Sequence, residues 1–212
     1  MKIRLTDCGN RSLRGLAVLL LSVGCLVVWT AAAMAFSDAE AEQALAAAME
    51  YVTVEYRVDG ELHQGVAYLY GGQDTVAAYL DKLKQGAEPG SQTGIDASGL
   101  VINAYKAVYP ALELVSMAGS RELRVKDASS EALYLWNVRS LSADELRPGD
   151  LVFFGTEGRR VTGVALYAGR RGDLMEIVTA SQSRGKVVLT TVRIGGDYWD
   201  NSFAGAGRLI KR

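Results

Sequence analysis

Residues 146–154 read Leu-Arg-Pro-Gly-Asp-Leu-Val-Phe-Phe, and residues 161–167 read Val-Thr-Gly-Val-Ala-Leu-Tyr. Each segment is rich in β-branched and aromatic residues and has glycine beside it, which is the pattern of a β-strand next to a turn. Two further segments of this kind follow at 174–180 and 187–192. We therefore predict consecutive strands joined by glycine-rich turns, and we expect 203–210 to close the sheet.

The part of the chain before these strands carries helix signals instead. Residues 37–40 read Ser-Asp-Ala-Glu, a capping box that opens a predicted helix through about Met49. Further helices are predicted at 74–84, at 97–109 and at 130–136. Helices first and strands later predict an α+β fold in which amino-terminal helices pack on a mostly antiparallel sheet.

A hairpin is predicted between the first two helices. Residues 51–56 are β-branched and aromatic and predict a strand. Asp59 and Gly60 follow as a turn signal, and 62–69 is the expected return strand.

The first 35 residues have the features of a secretory signal peptide. A basic start precedes an apolar run at 15–29, and residues 31–35 then read Ala-Ala-Ala-Met-Ala. We predict cleavage after Ala35 and a single domain over 36–212, exported to the periplasm, cell envelope or exterior of a bacterium. The apolar run is nearly long enough to span a membrane, so an uncleaved anchor is the alternative. Membrane contact would then involve this segment alone.

Composition removes several classes of function. The 212 residues are 49% hydrophobic and 22% charged, which is ordinary for a globular protein. The first 35 residues hold four of the 23 basic and one of the 24 acidic residues, so the remainder has a formal net charge of −4. Both cysteines, Cys8 and Cys25, lie in that segment, and His63 is the only histidine. We therefore expect no disulfide, no metal site, no cofactor and no nucleic-acid partner.

Three stretches occur in an order that resembles one known family. Residues 68–72 read Tyr-Leu-Tyr-Gly-Gly, and residues 94–101 read Gly-Ile-Asp-Ala-Ser-Gly-Leu-Val. With the strand pair quoted at the outset, they resemble the NlpC family of bacterial peptidoglycan cysteine endopeptidases, which have a papain-like fold. The resemblance covers about residues 62–212 and implies that fold here, whereas 51–61 match nothing in the family.

The resemblance also assigns three positions to the family's catalytic machinery. In the family, a cysteine opens the helix after the aspartate of the second stretch. A histidine on the strand after Pro-Gly-Asp takes the thiol proton, and a third polar residue orients that base. Ala97, Gly163 and Thr179 stand at these positions here. The resemblance therefore implies a catalytically degenerate member. An engineered Cys→Ala change would explain Ala97 but not the other two.

Three polar residues of the same motifs remain as candidate binding residues. Tyr68 is expected either to contact a ligand or only to pack on the sheet. Asp96 is expected to bind a cationic group or only to cap the following helix, and Ser98 is expected to bond to nearby backbone or to a ligand.

These observations leave three functions open. The first is a pseudo-peptidase that binds a peptidoglycan stem peptide, or a related peptide, in the inherited groove. The second is a regulatory or interaction subunit of the cell envelope that docks a partner protein through residues 51–61. The third is a residual cell-wall peptide hydrolase with reassigned residues such as Ser98 or Thr179, which would need His63 as its base.

Overall fold

A computed structural model describes residues 34–156 and 160–212 of the chain. The helices of this part are α1 (Asp38–Thr53), α2 (Val76–Lys84), α3 (Ala97–Val108), α4 (Ser130–Trp136) and α5 (Asp197–Ser202). The strands are β1 (Met34–Ala35), β2 (Glu55–Val58), β3 (Glu61–Gln64), β4 (Leu114–Ala118), β5 (Arg121–Val125), β6 (Val138–Leu141), β7 (Leu151–Thr156), β8 (Arg160–Arg171), β9 (Leu174–Ser181), β10 (Lys186–Arg193) and β11 (Phe203–Lys211).

Seven of these strands form one antiparallel sheet. Its order is β1-β11-β7-β8-β9-β10, and β6 pairs with β11 beside this path. The pairs β2–β3 and β4–β5 are separate two-stranded hairpins. The predicted α+β class with a mostly antiparallel sheet is confirmed, and β7 to β11 lie where the sequence predicts strands.

Helix α1 begins at the predicted capping box, in which Ser37 and Glu40 each accept a bond from the other's backbone N–H. The helix ends at Thr53, later than predicted. The strand predicted over 51–56 is therefore wrong in its first half. Tyr51 is buried in the core, and packing of the helix overrides the β propensity of this segment.

The turn from β2 to β3 is the predicted one. Asp59 and Gly60 both lie in the left-handed region, with φ of 52° and 86°, as a two-residue hairpin turn requires. The return strand is shorter than the predicted 62–69, because it ends at Gln64. Gly65, with φ of 85°, turns the chain there.

The sequence patterns do not predict β4, β5, β6 or α5. Strand β6 has four residues and helix α5 has six, so neither is long enough to show a clear period. Strand β5 alternates charged with apolar residues but is largely exposed, and it takes its structure from pairing with β4.

The main hydrophobic core brings together α1, α3 and the central strands of the sheet. Phe36, just before α1, packs edge-on against Tyr105 of α3, with the ring centroids 4.7 Å apart. A second cluster forms around α5, where Trp199 stacks on Phe203 with centroids 4.0 Å apart. The main core holds α3 against β8 and β9.

The Pro-Gly-Asp turn is held from three directions. Gly149 has φ of 92° and lies so close to α1 that a Cβ on it would stand 2.0 Å from the Ala41 carbonyl oxygen. The Tyr105 hydroxyl donates to the Gly149 carbonyl at 2.9 Å. The fully buried Asp150 carboxylate accepts bonds from Arg208 Nε at 2.6 Å and Nη2 at 3.0 Å. This turn ties α1, α3 and β11 together.

The predicted signal peptide or anchor lies outside the described residues, except for its end. The predicted boundary after Ala35 coincides with the end of β1, where Ala35 pairs with Ile210. In residues 34–156 and 160–212, no helix is long and apolar enough to cross a membrane. Cleavage after Ala35 and the domain extent 36–212 stay predictions.

A candidate binding groove at the start of helix α3

Helix α3 begins at Ala97 because Asp96 caps it. Asp96 Oδ1 accepts from the Gly99 backbone N–H at 2.7 Å and from the Ser98 hydroxyl at 2.9 Å. Its Oδ2 accepts from the Gly71 N–H at 3.1 Å, which links the cap to the first motif. Capping, one of the two roles predicted for Asp96, is confirmed. Its contact with a ligand stays a prediction.

Three glycines let the first two motifs approach backbone to backbone. A Cβ on Gly72 would lie 2.6 Å from the Gly94 carbonyl oxygen, and one on Gly94 would lie 2.6 Å from that of Ala67. One on Gly99 would lie 2.6 Å from the Gly72 carbonyl oxygen. Packed interiors do not accommodate such contacts without shifting backbone. The glycines therefore fix the start of α3 against the first motif.

An open groove runs across Ala97. It consists of two adjoining cavities of about 440 Å³ each, which share Tyr68, Ala97 and Thr162 in their linings. The Ala97 methyl group thus lies at the middle of the groove, where the family resemblance places a nucleophile. Gly163 and Thr179 line the same groove, so the structure brings all three positions together.

The cavity on one side of Ala97, here called the acidic half, contains ionisable side chains. They are Asp96, Asp127, Glu131 and Arg160. Glu131 Oε2 lies 3.3 Å from Arg160 Nε, so these two charges largely offset each other. Asp127 is exposed and forms no salt bridge with any residue that the structure describes. The acidic half therefore has an excess of negative charge.

The cavity on the other side, here called the neutral half, has a different lining. Its polar and aromatic members, besides those shared with the acidic half, are Phe154, Thr179, Ser181, Gln182, Ser183, Tyr198 and Ser202. None of the described residues that line it is Asp, Glu, Lys, Arg or His. The neutral half therefore offers hydroxyl and amide groups but no charge of either sign.

Gly163 leaves room in the neutral half. A Cβ on Gly163 would meet only Phe154 Cβ, at 3.8 Å, which is an ordinary van der Waals distance. The backbone at this position does not require glycine, in contrast to Gly94. The side chain of Thr179 is held in place, because its Oγ1 donates to the Val164 carbonyl at 3.0 Å.

Tyrosines lie at the junction and the rim of the groove. Burial raises the pKa of Tyr68, and the nearby negative charge of Asp96 raises it further, so its hydroxyl stays protonated. Tyr70 is 88% exposed at the acidic half, and Tyr198 is 59% exposed at the neutral half. Trp199, beside Tyr198, is buried in the second cluster.

The only histidine lies away from the groove. His63 is on β3, where its ring stacks on Tyr56 with centroids 5.4 Å apart, and it is not in the lining of either half. The Ser98 hydroxyl already donates to Asp96. A hydrolase with Ser98 or Thr179 as nucleophile therefore has no imidazole base beside it among the described lining residues, and the Asp96 carboxylate already caps α3.

Sequence reasoning identified the centre of the groove but missed its walls. The acidic residues Asp127 and Glu131 and the amide Gln182 carry no motif that the resemblance marks. Tyr70 was recognisable only as part of a Tyr-Gly-Gly turn, whose rim position depends on how the glycines pack. Within the described ranges, no group of three or more His, Cys, Asp or Glu residues is arranged to hold a metal ion.

The family model that matches this chain is that of the NlpC/P60 family, and it matches residues 65–208. This is more than half of the chain, and the chain belongs to the NlpC/P60 family. The family prediction is therefore confirmed. The match begins directly after the β2–β3 hairpin, so α1 and that hairpin lie outside it.

Two relatives show how far the similarity extends. The murein DD-endopeptidase MepH of Escherichia coli K12 is 30% identical over 120 residues, which are 56% of this chain and 38% of that protein. A crystal structure of a protein described as similar to lipoprotein, NLP/P60 family, from Staphylococcus aureus Mu50 is 19% identical, with a TM-score of 0.45. That similarity covers 86% of this chain and 45% of the other. The chain thus spans less than half the length of either relative.

Proposed function

We propose that this chain is a non-catalytic member of its family that binds a peptidoglycan stem peptide, or a closely related peptide, in the groove over Ala97. The groove itself carries the proposal, because it is open across Ala97 while its described lining contains neither a thiol nor an imidazole. A cysteine peptidase needs both groups. Loss of the nucleophile or the base alone lowers turnover by about a million-fold in a triad hydrolase.

The retained polar groups suit a peptide ligand. The Tyr68 hydroxyl stays protonated and is able to donate or accept a hydrogen bond at the junction of the two halves. Asp96 acts through its charge and by orienting Ser98, since both of its oxygens already accept internal bonds. Peptide N–H and C=O groups require such donors and acceptors along an open groove.

We also propose that the domain works in the bacterial cell envelope. The predicted export segment supports this location. A second support is that the related protein MepH is named for acting on murein.

Titration by NMR tests the binding role. The protein is isotope-labelled and collected after export by the cells that produce it. A purified stem tetrapeptide should then shift the amide signals of Ala97, Tyr68 and Gly163 in a saturable manner. The signal of His63 should not move. A titration without saturable change at Ala97 and Tyr68 would eliminate the binding role.

A matched pair of variants sharpens this test. Ala97→Leu fills the middle of the groove and should weaken binding at least about tenfold, a change of about 1.4 kcal/mol. Ala77→Leu adds the same atoms to an exposed position of α2 and should leave affinity unchanged.

A docking role for the β2–β3 hairpin is the second candidate function. The hairpin precedes the family match, and its base is held by the Tyr79 hydroxyl donating to that of Tyr56 at 2.8 Å. Leu62 is 58% exposed on it, so an apolar side chain is available to a partner. A photo-crosslinker next to Leu62 should capture one envelope protein, and Leu62→Asp should abolish the product. A product that survives Leu62→Asp would argue against this role.

A further inference from the structure

We propose that the neutral half selects an uncharged ligand segment. The groove then prefers a peptide whose carboxyl end is an amide over the same peptide with a free carboxylate. This inference rests on the proposed peptide binding and adds a specificity to it. It follows from the difference in charge between the two halves and from the hydrogen-bonding state of the groups in the neutral half.

The charge difference orients a peptide along the groove. The excess negative charge at Asp96 and Asp127 attracts an ammonium group and repels a carboxylate. A peptide with its amino end at the acidic half extends across Ala97 and places its carboxyl side in the neutral half. The opposite orientation would bring a carboxylate against these acidic side chains.

The described lining of the neutral half offers a carboxylate hydrogen-bond donors but no cation. A carboxylate only accepts hydrogen bonds, and it needs donors or a cation when it leaves water. The Thr179 hydroxyl donates its hydrogen bond to the Val164 carbonyl, so only its lone pairs are available to a ligand. The Ser181 and Ser183 hydroxyls lie 3.2 Å apart and share one bond. A carboxamide both donates and accepts, so it is able to use the lone pairs of Thr179 Oγ1 as well as the free donors of this half, and it needs no cation.

Space for that amide is present because Gly163 has no side chain. An added Cβ there would meet only Phe154, and Gly163 faces the same cavity as Thr179 and Gln182. The resemblance to the family places an imidazole at this position. With glycine at 163, the volume that the imidazole would fill is available to a ligand group.

Two peptides that differ in one group test the inference. Calorimetry would compare a stem tetrapeptide ending in a carboxylate with the same tetrapeptide ending in a carboxamide, using the exported protein at pH 7. The carboxamide should bind at least about fivefold more tightly, which corresponds to about 1 kcal/mol.

A matched pair of lysine variants locates the effect. Gln182→Lys places an ammonium group in the neutral half and should abolish or reverse the preference for the carboxamide. Gln73→Lys makes the same change in the acidic half and should leave the preference unchanged. Arg184→Gln, in the turn that carries Gln182, should also leave it unchanged. So should a joint neutralisation of Glu157 and Arg159, which lie outside the described residues.

The outcomes separate the two proposals. If neither peptide binds, the proposed function fails and the inference fails with it. If both bind equally, or the carboxylate binds more tightly, peptide binding stands and the selection of an uncharged segment is overturned. A preference that persists in Gln182→Lys, or that disappears in Arg184→Gln or in the variant neutralised at 157 and 159, overturns it as well.

Discussion

The Pro-Gly-Asp turn and the groove over Ala97 both belong to the motifs of this family, but they differ in what they retain. At the turn, the buried Asp150 carboxylate is paired with Arg208, and Gly149 fits against α1. At the groove, Ala97 and Gly163 contribute no functional group at all. Among the described residues, the turn is held by contacts with Ala41, Tyr105 and Arg208, none of which lines the groove. We therefore expect the groove to change without loss of the turn.

Restoring the missing groups is the strongest way to test this separation. The variant Ala97→Cys/Gly163→His/Thr179→His should raise peptidoglycan hydrolysis to at least about a hundredfold above the unmodified protein. The start of α3 favours a thiolate, and a Cβ at 163 meets only an ordinary contact with Phe154. Chromatography of the released fragments measures the effect. The variant with only the two histidines should stay at background.

The unmodified protein supplies the contradicting outcome. If it hydrolyses peptidoglycan and Ser98→Ala abolishes that activity, the groove is a working site with reassigned residues. The proposed absence of catalysis at this groove would then be wrong.

Substitutions in the Pro-Gly-Asp turn should change the stability of the fold and not the binding of a ligand in the groove. Asp150→Ala leaves the buried Arg208 guanidinium with only the partly exposed Asp38 as a carboxylate partner and should lower the free energy of unfolding by about 3 kcal/mol. Urea denaturation measures this change. Asp173→Ala, which removes an exposed ion pair with Arg193, should change it by less than about 1 kcal/mol. Equal losses in the two variants would show that the buried pair has no special role.

Two glycines extend the comparison to the backbone. Gly94→Ala forces a Cβ against the Ala67 carbonyl and should destabilise the fold by about 2 kcal/mol or more. Gly163→Ala meets only an ordinary contact and should change the free energy of unfolding by about 0.5 kcal/mol or less. Thermal unfolding distinguishes them. A large loss in Gly163→Ala would mean that the groove needs this glycine for its structure.

The smallest expected effect is a dependence on pH at the start of α1. The hydrogen bond from Lys211, together with those from Ser37, lowers the pKa of Glu40 from 4.5 to about 2. The stabilisation is therefore complete above pH 4.5 and is lost as the pH falls through about 2. Glu40→Gln should destabilise the protein by about 1 kcal/mol or less at neutral pH, and the difference should shrink toward pH 2. Unfolding curves at several pH values measure it.

The sequence predicts the sheet and the centre of the groove well, because local signals determine them. The capping box at Ser37 starts α1, and Asp96 starts α3 as its position before the helix indicates. The family motifs also bring Ala97 and Gly163 to the same cavity.

What the sequence did not show depends on tertiary contacts. Tyr51 joins the helix rather than a strand because the core buries it. Asp127 and Gln182 reach the walls of the groove only because α4 and the β9–β10 turn are placed beside α3. No local pattern marks such residues, since their role comes from elements that are distant along the chain.

Strand β11 imposes an order on the assembly of the molecule. The Phe36 N–H donates to the Leu209 carbonyl at 3.0 Å, and Asp38 pairs with Arg208, 170 positions away along the chain. The packing of α1 is therefore complete only when β11 has joined the sheet. Contacts of such long sequence separation form slowly. The region around Phe36 and Asp38 is therefore expected to become ordered only after the sheet has formed.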